Sequence, residues 1–488
     1  MAMEKSIKKI RYFFTLILAI VCGYFVYMGV VPTGRITYEN TFDDENFFIR
    51  KLTPAERVQK PADGIQKIVG QPVYFSLYTP RTFDSAVMTF KFRNKTSFPL
   101  IEAGILSDKK IWRYRMSPIE NKTLDEMSAK WDVSVTGNLS LYQKEKKYAS
   151  VAEFMAAPPD LSTVAVYNAA FYPDFRMSDY VQSDALETLG SGPLRGDYQF
   201  YAYTRNEGLY FSFKIHDLNL NKDEDGIEVI VSSKDNEIKR VTLADDGNRE
   251  DNGRASVARE LDVIIPDLSE GAYKIEFRAG SDIITDQITT VQKKIVFLNK
   301  LWLMGDKPTD DLCGDSYRLT AQTANPAALQ TILVSDQEAG GNASFRRLKL
   351  DETYKQYSLA LDGKLKKIHR SLGDVVISGD GLFSFTCDTF FRPVPRKLPD
   401  DPASAGGGLR YVLADYRPPA VTPDSWSVAS ATFDLKNAYR ENGKYSLMLS
   451  IPGLLDSDDQ SDYLEISSIR ADLYGTDLMS KLKKIIRL

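Results

Sequence analysis

Twenty consecutive residues without a charge, 12–31 (YFFTLILAIVCGYFVYMGVV), constrain this chain more than any other feature. As a helix such a run measures about 30 Å, the thickness of a bilayer hydrocarbon core. Lys5, Lys8, Lys9 and Arg11 precede it against a single acid, Glu4, and basic flanks stay in the cytoplasm. The expectation is an uncleaved single-pass transmembrane helix over 12–31. Residues 1–11 would then be a cytoplasmic basic segment, and the bulk of the chain would lie outside, at the cell surface or in a periplasm. A cleaved signal peptide has a shorter apolar core and a small-x-small exit; Met28-Gly29-Val30-Val31-Pro32 provides neither. A lipoprotein would need a small residue before Cys22, where Val21 stands.

Beyond residue 70 the hydrophobic period changes to two. Val73, Phe75 and Leu77 share one face, as do Met88, Phe90 and Phe92 against Thr89, Lys91 and Arg93. The same pattern recurs in Leu209, Phe211, Phe213 and Ile215, in Tyr273, Ile275 and Phe277, and in Tyr445, Leu447, Leu449 and Ile451. Strands with one buried and one wet face belong to antiparallel sheets. Separated by Gly, Asp, Asn and Pro turns, they predict a mostly β chain of sandwich or jelly-roll units. Short helices are predicted over 148–156 and 179–189, and a broken one over 53–69.

Composition shifts place the boundaries. Residues 35–171 form a first jelly-roll-like sandwich, and 172–193 a linker carrying a short helix. Residues 194–299 form a second sandwich, 300–476 a third, jelly-roll-like one, and 477–488 a basic amphipathic tail. The second unit has short strands, an Asp245-Asp246-Gly247 turn and the late strand EGAYKIEF. At about 100 residues it resembles a bacterial immunoglobulin-like module. That resemblance implies adhesion, spacing or assembly and brings no catalytic residues.

The 488 residues carry a net charge of −4 although both ends are basic, so the body is acidic. An acidic body excludes nucleic acid as a partner, because phosphates demand a basic surface. Two histidines and three cysteines exclude His-rich metal sites, a four-thiolate zinc site and a disulfide-dense scaffold.

Oxygen donors recur at every second position in Asp217, Asn219, Asn221, Asp223 and Asp225, with Glu228 in twelfth place. This partly matches a calcium loop, but Lys222 occupies the position of the turn glycine. The expectation is a β-loop calcium site or a solvated acidic loop; 456–462 is a second acidic loop. Cys313 and Cys387 lie in the third unit, where an oxidising compartment would let them pair. Cys387 also alternates with Phe383 and Phe385, which suits a buried free thiol.

Tyr and Trp rings can stack on sugars, which makes Trp112, Tyr114, Tyr411, Tyr416 and Trp426 candidate ligand contacts. Trp131, alternating with Val133 and Val135, reads as core. His216 and His369 read as surface residues, and no carboxylate pair or nucleophile stands out. The chain therefore reads as non-enzymatic, requiring no cofactor and possessing an optional Ca2+ site. Its partners would be the membrane and an envelope polysaccharide or surface protein. A jelly-roll carbohydrate-active hydrolase or lyase, and a surface-layer or fibre subunit, are the alternatives.

Overall fold

The computed structural model describes residues 2–30, 34–59, 62–109, 111–190, 192–220, 225–234, 236–248, 251, 253–305, 311–336, 345–398, 408–454 and 462–476; within the N-terminal helix, side chains are described for 11–25 only. The chain is mostly β, with 48% strand and 10% helix, and its sheets are sandwich-like and not closed. It divides into two compact units, 1–122 with 417–488, and 123–416.

Helix α1, Ala2–Val30, opens the first unit. Among the described residues no helix is long and apolar enough to cross a membrane. The expected transmembrane span over 12–31 is therefore corrected.

Two antiparallel sheets make up the rest of this unit. One runs Arg35–Asn40, Leu464–Tyr474, Ser85–Asn94, Ser427–Asp434, Ala420–Val421, with Gln66–Ile68 also paired to Leu464–Tyr474. The other runs Val73–Tyr78, Lys444–Ser450, Leu100–Asp108, Arg113–Asn121. Period-two faces build the core: Val73, Met88, Phe90 and Phe92 are fully buried between the sheets, with Leu447 and Leu449 beside them. Each such Phe contributes about 1.5–3 kcal/mol by leaving water. The first strand pairs with the last, Arg35 opposite Tyr474. This differs from the expected consecutive units 35–171 and 300–476, because strand partners are chosen by non-local packing and not by chain order.

The second unit begins with a five-stranded mixed sheet ordered Arg396–Lys397, Val164–Tyr167, Tyr411–Asp415, Leu139–Gln143, Asp132–Thr136. Its first three strands are parallel. Parallel neighbours need a long crossover, and here the crossover contains two further sandwiches. Helix α2, Lys122–Ser128, buries Leu124 and Met127 beneath this subdomain. Helix α3, Val151–Ala156, is capped by Ser150, whose side chain accepts from Glu153 N. Among the described residues the other two expected helices are absent: 53–69 holds a 3-10 turn, Ala55–Arg57, and 179–189 ends in the short strand Glu187–Thr188. Trp131 is half-buried against the subdomain core, whereas Val133 and Val135 are exposed because Asp132–Thr136 is an edge strand with one neighbour.

In the first crossover sandwich, one layer joins Glu187–Thr188 and Leu194–Arg195 to Ile283–Thr290, then Leu209–Asp217, then Arg259–Ile265. The facing layer joins Asn236–Leu243, Ile227–Ser233, Gly271–Arg278, Tyr198–Thr204 and Ile295–Leu303. Strand Ile295–Leu303 is long enough to serve twice. Residues 295–298 pair with Tyr198–Thr204, and residues 297–303 pair with Val375–Ser384 of the second sandwich, so Phe297 and Leu298 have a neighbour on each side. The expected boundary between 299 and 300 thus falls inside one strand, and a single apolar core runs through both sandwiches. The tail 477–488, the acidic stretch 456–461 and most of the loop 400–408 lie outside the described residues.

Candidate metal centre

Strand Leu209–Asp217 explains why a carboxylate ends up inside the protein. Leu209, Phe211, Phe213 and Ile215 face the core, and the same parity carries Asp217 inward at the strand's end. Asp225 likewise shares the parity of Ile227, Val229 and Val231 on the neighbouring layer. Asp282 enters from the turn that precedes Ile283–Thr290. All three aspartates are at least 97% buried, at 1%, 3% and 1% exposure. One oxygen from each lies within 4.8 Å of the others.

Hydrogen bonding leaves part of this cluster unsatisfied. Asp217 Oδ1 accepts from Asn219 N at 2.8 Å, and Asp282 Oδ2 from Leu220 N at 3.3 Å. Among the described residues, Asp217 Oδ2 and Asp282 Oδ1 are buried without a hydrogen-bond partner. Such groups cost about 1–3 kcal/mol each when nothing compensates them, and more when charged. Gly280 borders the same space: a Cβ there would lie 3.1 Å from both Asp225 Oδ1 and Asp282 Oδ1. Burial, then the charges of Asp282, Asp217 and Asp245, push the Asp225 carboxyl up to about 7. Burial also raises Asp217. Three oxygen-donor carboxylates in a dry, converging arrangement can hold a metal ion, and their hardness suits a hard cation.

The sequence motif survives in part. Asp217 and Asp225 converge, and Asn221 and Asp223 lie outside the described residues. Asn219 is buried in a left-handed conformation (φ 50°), with its side chain spent on loop bracing. Its Nδ2 donates to Arg254 O at 2.6 Å, and its Oδ1 accepts from Asn248 Nδ2 at 2.7 Å. Glu228 is turned outward by strand parity and pairs with Arg240 at 3.0 Å. Asp282 was missed because it is remote in sequence; the available signal was an acid following Gly280-Ser281 at the mouth of an apolar strand.

The remaining candidates disperse. Cys313 and Cys387 form a disulfide, with Cα atoms 5.2 Å apart. Trp112 is 66% exposed at a hairpin tip, and Tyr114 is half-buried with its hydroxyl 3.2 Å from Ser446 Oγ. Trp426 is buried beneath Arg93, whose guanidinium lies 4.1 Å from the ring centre. Tyr411 packs against Tyr148 and Phe154, and Tyr416 donates to Asp125 at 3.0 Å; both belong to the mixed-sheet core. His216 pairs with Asp286 at 2.7 Å and His369 with Asp311 at 2.8 Å.

No protein-family model and no curated protein matches the chain. Among solved structures, an infectious bursal disease virus (Gt strain) structure aligns over 92% of this chain and 83% of its own at 9% identity, with a TM-score of 0.15. The M60 catalytic domain with the CBM51-1 and CBM51-2 domains of Clostridium perfringens ZmpB aligns over 65% and 49% at 7% identity, with a TM-score of 0.14. Dimeric latent PorU from Porphyromonas gingivalis aligns over 67% and 32% at 10% identity, with a TM-score of 0.13. Similarities this low carry no argument about fold or function.

Proposed function

We propose that this chain is an extracytoplasmic, non-enzymatic β-sandwich protein that binds an envelope glycan or a protein partner and is braced internally by calcium. The observation that carries the reading is the buried Asp217–Asp225–Asp282 cluster, two of whose oxygens have no hydrogen-bond partner among the described residues. Calcium accepts six to eight oxygen ligands with flexible geometry, whereas magnesium demands a tighter octahedron. The three carboxylates would supply the charge, with water and nearby backbone carbonyls completing the shell. The Cys313–Cys387 disulfide supports an oxidising location. The test is thermal unfolding of the chelator-treated protein with added CaCl2 or MgCl2. Calcium is expected to raise the transition of the sandwich that contains the cluster, and magnesium to raise it less. An unchanged transition in calcium, at concentrations where calorimetry also shows no binding, refutes the reading.

One observation favours a second role as a fibre or layer subunit. Edge strand Asp132–Thr136 exposes Val133 and Val135 and, among the described residues, pairs with a strand on one side alone, a template for strand addition from another copy. Concentration-dependent assembly that is abolished by Val135→Lys would favour it, and a monomer at all concentrations would remove it.

A further inference from the structure

On the first crossover sandwich, the layer containing Tyr198–Thr204 has an unusual outer face. Phe200 and Ala202 point into the core. Tyr201 and Tyr203 point the other way, where a wet sheet face would ordinarily be polar. The segment after Phe171 covers much of that face. Phe175, Met177 and Tyr180 pack with Tyr203, Val296 and Phe391 in a separate apolar layer, and Met177 N donates to Tyr203 Oη at 2.9 Å. The cover is incomplete. A cleft of about 410 Å³ remains, with Tyr201 among its lining residues, Tyr172 and Phe175 from the covering segment, Ser233 at the end of its strand, and Ser269. That volume lies within the range of small-ligand clefts.

The cleft's charges divide unevenly. Glu270 is already committed: it accepts from Tyr203 Oη at 2.6 Å and Arg205 Nε at 2.7 Å. Arg176 sits between Glu270 at 3.5 Å and Asp174 at 3.7 Å. Lys274 pairs with Glu276 at 2.7 Å, but Glu276 also serves Arg278 at 3.1 Å. Lys234 occupies the left-handed position (φ 49°) of the turn between two strands. Among the described residues its ammonium makes no ion pair. Arg176, Lys234, Ser269 and Lys274 line the cleft beside the tyrosines, which disfavours a greasy ligand. Tyrosine faces, hydroxyls and an uncommitted ammonium together match a ligand with flat C–H faces, many hydroxyls and a negative charge.

We propose that this cleft binds a short acidic oligosaccharide, with a sugar ring stacked on Tyr201 and a uronate carboxylate held by Lys234. This rests on the reading of the chain as a binding protein, and it supplies the site and the ligand class. The test is isothermal titration calorimetry of the full chain, in calcium-containing buffer, with trigalacturonate and with neutral galactotriose. Saturable binding of trigalacturonate alone is expected. Lys234→Ala, at an exposed turn, is expected to weaken it about fivefold to tenfold, and Tyr201→Ala by a similar factor. Absence of trigalacturonate binding, equal binding of galactotriose, or unchanged affinity in both variants overturns the proposal. Thermal unfolding of the same samples, with chelator and with calcium, reports folding of each variant. A missing calcium effect there would sink the calcium reading while leaving the cleft result to stand on its own.

Discussion

Asp225→Asn is the substitution whose effect should change sign with calcium. Without the ion, Asp225 must ionise while 97% buried and within ligand distance of Asp217 and Asp282. Its carboxyl is pushed up to about 7, first by burial and then by those charges. A carboxyl whose folded pKa lies above its unfolded value binds more protons in the folded state, so stability falls as pH rises from about 4 to 7 and stays reduced above that. At 1.36 kcal/mol per unit, discounted for solvent relaxation, the ionised group costs about 2–4 kcal/mol at pH 8. The amide has nearly the same shape and no charge, so in chelator at pH 8 the variant should be more stable than the parent by about that amount. Calcium reverses the comparison. At a thousandfold excess over its dissociation constant, a ligand that binds only the folded state adds about 4.1 kcal/mol. For a domain of roughly 100–150 residues that is an upward shift of about 15 °C. The variant, having lost one anionic ligand, should gain little. The assay is differential scanning calorimetry of both proteins in chelator and in calcium, at pH 5 and pH 8. If Asp225→Asn destabilises equally under all four conditions, Asp225 is an ordinary buried hydrogen-bonding group and the metal argument fails.

Two other outcomes are open to direct measurement. Replacing both Cys313 and Cys387 with serine removes a bridge that spans 74 positions. The chain-entropy model then predicts a loss of about 4–5 kcal/mol, read as an earlier denaturation midpoint and matched by the reduced parent. Asp472 is buried, which alone would raise its pKa, but hydrogen bonds from Thr37, Arg470 and Arg35 hold it down at about 2. Its contribution of about 2 kcal/mol should be complete above pH 4 and disappear between pH 4 and pH 2. Stability curves of the parent and Asp472→Asn should therefore converge at the acid end; a gap that is constant with pH would refute the assignment.

Much of the fold is written locally. Alternation in Val73–Tyr78, Leu209–Asp217, Gly271–Arg278 and Lys444–Ser450 identifies each as a strand with one buried face, because side chains in extended backbone alternate between faces. The same rule, applied two residues further, would have placed Asp217 in the core. Glu228, by contrast, satisfied a spacing rule borrowed from a helical calcium loop and failed on a strand, where its parity sends it outward to Arg240. The Asp179–Leu189 pattern read as helical, yet burying Tyr180 and the neighbouring Phe175 and Met177 on a sheet face prevailed over local propensity.

The amino-acid sequence by itself identified the strands whose residues alternate and which of their faces are greasy, since both follow from the period-two geometry of extended backbone. It offered Asp217 and Asp225 as members of an acidic loop, without saying that either would be buried. Tertiary structure alone decided that Arg35–Asn40 pairs with Leu464–Tyr474, that Ile295–Leu303 belongs to two sandwiches, and that Asp282 joins Asp217 and Asp225. Each of these brings together residues far apart along the chain. Such encounters depend on the packing of whole layers, and no window of neighbouring residues contains that information.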